Sequence, residues 1–129
     1  MKPVVQEWLE FAKTDLKAAE LLISDPTLTA AASFHSQQCA EKCLKAVIES
    51  MELNPPKTHD LIRLYGMVEP FVTLNEDMLA KLNEIYIDSR YPAGMGLLPD
   101  GAPTIEEAKD FRKFATSLYR LVLHNLSKR

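Results

Sequence analysis

The chain has 129 residues, 47% apolar and 26% charged, a single-domain size and a composition that excludes disorder as the main state. No apolar run approaches the ~18 residues of a membrane span, and the start Met1-Lys2-Pro3-Val4-Val5-Gln6-Glu7 lacks a signal-peptide core, so a cytoplasmic protein is expected. Lys and Arg total 15 against 18 Asp and Glu, a net charge of −3, which argues against a generally basic nucleic-acid binder but allows a local basic stripe.

The prolines fall outside every helical pattern and cut the chain into helical stretches, with no alternating strand pattern. A first helix is expected from Pro3 to about Ser24. Val5, Trp8, Leu9, Phe11, Ala12, Leu16, Ala19, Leu22 and Ile23 form its apolar arc. Asp15 falls inside that arc, and a buried carboxylate needs a partner from elsewhere in the fold. Asp25-Pro26 reads as the cap and first residue of a second helix running to about Glu52. Its apolar face is rich in small residues, which suits a central helix. A polar stripe remains, with His35, Gln38, Lys42, Lys45 and Glu49 flanked by Gln37 and Glu41.

Thr58 is expected to cap a third helix from His59 to Glu69. Thr73-Leu74-Asn75-Glu76 reads as a capping box for a fourth, ending near Ser89 with Tyr86 on its inner side. A long Pro/Gly-rich loop follows, opening on Arg90-Tyr91-Pro92, and loops of this length in small domains are usually functional or mobile. Thr104-Ile105-Glu106-Glu107 is a second capping box, starting a fifth helix to about Leu126. The expected fold is an all-α, up-and-down bundle of about five helices in one domain.

Cys39 and Cys43, with His35, repeat every four residues on one helix face. Together they span about 12 Å along the axis, too far for one ion to reach all three. Small buried cysteines are the expected reading. No metal and no cofactor are expected.

The stretch Phe34-His35-Ser36-Gln37-Gln38-Cys39-Ala40-Glu41-Lys42-Cys43-Leu44-Lys45-Ala46 resembles the signature of the HEPN domain family. Ala12-Lys13-Thr14-Asp15-Leu16, Thr58-His59-Asp60-Leu61 and Asp88-Ser89-Arg90-Tyr91-Pro92 fit the same family in order. The resemblance implies an α-helical bundle, a homodimer, and a minimal nucleotidyltransferase as partner in a toxin–antitoxin module. Family members that cut RNA carry Arg, four to six residues, then His on the last helix. Here Arg120 and His124 are separated by three residues, so the pattern is missed by one.

Two constellations follow. Arg120 and His124 share a helix face with Lys113 and Ser117. They would hold a phosphate and move a proton in a metal-independent endoribonuclease, although cations near a helix C-terminus are also favoured by the helix dipole. His35, Gln38, Lys42, Lys45, His59 and Arg90 would bind a nucleotide or RNA phosphate, with Tyr86 or Tyr91 stacking on a base. His59 is expected in the first turn of the third helix, where backbone N–H groups favour anions. The expected function is a nucleotide- or RNA-phosphate-binding accessory or toxin-like protein. The alternatives are the endoribonuclease and a ligand-free interaction module in which Lys42, Lys45, Glu41 and Glu49 form a solvated face and Arg90 pairs with Asp15.

Overall fold

The computed structural model describes residues 1–90 and 101–128, with residues 87–90 as helical backbone alone. Five helices follow in order: α1 (Pro3–Leu22), α2 (Thr29–Ser50), α3 (Leu61–Val68), α4 (Glu76–Arg90) and α5 (Ile105–Ser127). The fold is all-α, and no strand occurs among the described residues. The central helix is α2, which packs against all four others and lies along α1 over the greatest length. Its small inward residues Ala32, Ala40 and Ala46 are wholly buried and let the neighbouring backbones come close. Leu44, Ile48, Leu64, Leu82, Ile85 and Leu118 fill the spaces between helices, each almost free of solvent.

The helix starts differ from the sequence expectation where two polar residues compete for the cap. Asp25 caps a short 3-10 turn (Pro26–Leu28) rather than α2, its carboxylate accepting from Thr27 N–H at 2.9 Å and the Thr27 hydroxyl at 2.6 Å. Those two bonds hold the Asp25 carboxyl below its ordinary pKa. The third helix begins at Leu61 under an Asp60 cap, not at His59 under Thr58. Asn75, not Thr73, caps α4, accepting from Met78 N–H at 3.0 Å. The last capping box forms as expected, with Thr104 N–H donating to Glu107 at 2.9 Å and Glu107 N–H to Thr104 at 3.1 Å. Phe11, expected inward, is 58% exposed. It sits at the margin of the α1 arc, and the ammonium of Lys42 lies 5.9 Å from its ring centre.

The end of α2 is closed by a Schellman arrangement. Leu53 N–H reaches Ile48 C=O at 3.3 Å and Glu52 N–H reaches Glu49 C=O at 3.0 Å. This turn requires a left-handed residue, and Glu52 supplies it at φ 62°, where glycine is the usual choice. A left-handed non-glycine residue costs about 1–2 kcal/mol. The exposed Lys2–Glu52 ion pair at 3.2 Å offsets little of that. Glu52→Gly should therefore raise stability by about 1 kcal/mol, read as a higher urea midpoint at unchanged slope.

Candidate functional site

Asp15 lies on the edge of α1 that faces α2 and is only 7% exposed. Its partners come from two turns of α2. His35 Nδ1 lies 2.9 Å from Oδ1, and Lys42 Nζ donates to Oδ2 at 2.5 Å. A seven-residue separation puts His35 and Lys42 on one face of α2, bracketing the carboxylate. Both oxygens are thus filled from α2, where the sequence had offered Arg90 as the partner; the Arg90 side chain lies outside the described residues.

Glu41 repeats the pattern one helix face away. It is 4% exposed. Lys45 Nζ donates to Oε2 at 3.0 Å, while His59 Nδ1 lies 2.8 Å and Gln38 Nε2 3.3 Å from Oε1. Gln37 is fully buried. It donates to the His59 carbonyl at 3.1 Å and accepts from Gln38 at 2.7 Å, so both the ring and the backbone of His59 are held. The i, i+4 pair Glu41–Lys45 lies neither on the solvated face of the ligand-free alternative nor open to a ligand: it is buried, with Trp8 of α1 beside Lys45. The Lys45 ammonium lies 5.4 Å from the Trp8 ring centre, and the indole N–H reaches Glu49 at 3.4 Å.

The charges follow from this geometry. Lys42 is neutralised by Asp15 and Lys45 by Glu41. Each imidazole meets its carboxylate through Nδ1, so that nitrogen carries the hydrogen and donates to the acceptor-only carboxylate.

His59 also carries the aromatic part of the site. Tyr86 stacks on it with ring centres 4.0 Å apart and planes 16° from parallel. Phe34 extends the stack at 6.0 Å from Tyr86 and meets His35 edge-on at 5.7 Å. Beside the stack lies a cleft of about 360 Å³ lined by His59, Asp60, Asn83 and Tyr86. Asp60 stood in the sequence only as part of the Thr58-His59-Asp60-Leu61 resemblance and Asn83 carried no signal, because their pairing depends on α4 docking beside the segment before α3.

The helix terminus expected to bind anions is closed. His59 precedes the cap instead of lying in the first turn. Leu61 N–H donates to Asn83 at 2.7 Å, and Ile62 and Arg63 N–H donate to Asp60 at 3.0 and 3.3 Å. Arg120 and His124 are exposed on α5, and neither lines the cleft. Arg90 ends α4, and Tyr91 lies outside the described residues. Cys39 and Cys43 are free and fully buried. Burial, with the neighbouring Cys39, pushes the Cys43 thiol well above its ordinary pKa. Among the described residues no group of three or more His, Cys, Asp or Glu is placed to hold a metal ion, and no helix is long and apolar enough to cross a membrane.

The fold is a five-helix bundle whose central helix meets its neighbours through two carboxylate–histidine contacts, Asp15–His35 and Glu41–His59. The HEPN domain model matches residues 5–126, and the chain belongs to the HEPN domain family. Two solved structures share the fold. TT1696 from Thermus thermophilus superposes with a TM-score of 0.80 at 25% identity, over 96% of this chain and 99% of its own. ST0689, an archaeal HEPN homologue, superposes with a TM-score of 0.70 at 27% identity, over 96% and 98%. No curated protein matches the chain.

Removing one partner of a buried ion pair strands the other charge. Glu41→Ala should destabilise the bundle by about 3–5 kcal/mol, measured by urea unfolding. The two thiols should react with a soluble disulfide reagent at pH 8 only as fast as the protein opens, and at once in denaturant.

Proposed function

We propose that this HEPN protein is a nucleotide-binding accessory protein that acts in the cytoplasm as a homodimer beside a minimal nucleotidyltransferase, in a toxin–antitoxin pair. The observation that carries the reading is the near-parallel His59–Tyr86 stack, both rings of which line one cleft. Stacked aromatic rings beside a space of this size suit a heterocyclic base, and one base on an aromatic platform is worth about 1–3 kcal/mol.

The fixed charges favour a small ligand over a long RNA. Strong RNA binding draws on many free cations along a groove, whereas Lys42 and Lys45 are each spent on a buried carboxylate. In this reading Asp15 and Glu41 orient His35 and His59. Gln38, Lys42 and Lys45 hold those carboxylates rather than the ligand. Arg90, one helical turn beyond Tyr86 on α4, is the proposed phosphate ligand, and Tyr91 follows it.

Calorimetric titration with mononucleotides tests the proposal. Tyr86→Ala and His59→Ala should each weaken binding by about tenfold or more, and Arg90→Ala should weaken nucleotides more than nucleosides. Absence of binding by the native protein would overturn it. Metal-free incubation with mixed RNA tests the endoribonuclease alternative. Cleavage abolished in His124→Ala would move the chemistry to Arg120 and His124.

A further inference from the structure

Helix α1 buries one face against the bundle and carries a second apolar ridge on its outer side. Val4, Phe11 and Leu21 stand there at 38%, 58% and 77% exposure, although a surface helix ordinarily turns such residues toward the core. Val4, Phe11 and Ala18 follow one another at seven-residue intervals, as do Glu7, Thr14 and Leu21, the second set three residues after the first. This is the spacing of the two contact positions in a helix that packs along another helix. At the start of the ridge lies a hollow of about 170 Å³, lined by Val4, Glu7, Trp8 and Phe11 of α1 and by Glu49 of α2. Residues at i, i+3, i+4 and i+7 form the four-sided hole that takes a side chain from a facing helix.

We propose that this ridge is where a second copy of the chain docks, the two α1 helices running antiparallel across a two-fold axis midway along α1. The inference rests on the homodimer in the reading above and names the face that forms it. The charges beside the ridge identify the occupant. Glu10 and Lys17 are exposed on one flank, seven residues apart, and neither joins an ion pair among the described residues. In an antiparallel pair the same flank of each helix meets, so Lys17 of one copy stands beside Glu10 of the other, on both sides of the axis. Flanking ion pairs of this kind set partner and orientation. The same alignment lays Val4 against Leu21 and Phe11 against Thr14 of the second copy. A parallel pair would instead press Glu7 against Glu7 within the contact. The face is thus complementary to itself under a two-fold axis, as an interface between identical subunits requires.

Sedimentation velocity on the full chain at low ionic strength is the test, with mononucleotide titration run on the same samples. The native protein should sediment as a dimer, and Phe11→Ser as a monomer of unchanged helix content. Glu10→Lys sets lysine against lysine across the axis, and Lys17→Glu sets glutamate against glutamate; each alone should weaken self-association by about tenfold. An equal mixture of these two variants should pair as tightly as the native chain, and so should the double variant Glu10→Lys/Lys17→Glu, because both restore opposite charges. Regained affinity cannot come from misfolding. A native dimer that none of these changes weakens would overturn the α1 face and leave the homodimer standing. Single variants that weaken pairing, with no recovery in the mixture, would overturn the antiparallel arrangement. A monomeric native chain would overturn the face and the homodimer together, while the titration reads nucleotide binding separately.

Discussion

Two carboxylates buried between helices, Asp15 and Glu41, set the terms on which this bundle packs. A carboxylate taken out of water must be paired and hydrogen-bonded, and each here recruits one histidine and one lysine. Asp15 ties α1 to two turns of α2. Glu41 ties α2 to the segment before α3, and so fixes where His59 stands. An apolar pair at these positions would pack the helices equally well, but it would let α1 slide or rotate along α2. The charged pairs are satisfied in one register, and the Glu41–His59 contact holds the ring on which Tyr86 of α4 stacks.

The same arrangement determines which charges are left free at the candidate site. A stripe of histidine and lysine on a helix looks like a phosphate cradle while its partners are unknown. Once each ammonium is matched to a carboxylate, Lys42 and Lys45 leave little free positive charge on the stripe, and in the proposed reading the base meets the ring faces of His59 and Tyr86. Stacking on a ring face favours a flat heterocycle, whereas free lysines would attract polyanions of any kind.

Much of this was legible in the chain. Proline placement and the 3.6-residue period gave the five helices in order, and the burial of Asp15 followed from its place in an apolar arc. Its partner did not follow, because His35 and Lys42 meet Asp15 only after two helices choose a crossing. The starts of α2, α3 and α4 moved for separate reasons: a 3-10 turn intervenes before α2, Asn75 takes the cap of α4, and at α3 a tertiary neighbour decides between two caps. Asp60 prevailed over Thr58 because Asn83 on α4 braces it. The burial of Lys45 was equally hidden, since helical periodicity cannot show that Trp8 from another helix will lie across it.

The single tryptophan of the chain stands at one end of a short series of contacts. Trp8 faces the Lys45 ammonium, Lys45 is bonded to Glu41, and Glu41 holds His59 at the cleft. Indole emission responds to the field of a nearby charge, so any event that shifts His59 displaces the charges beside the chromophore. The protein thus carries its own optical reporter of the cleft, lodged between α1 and α2 and free of overlapping signals from other indoles.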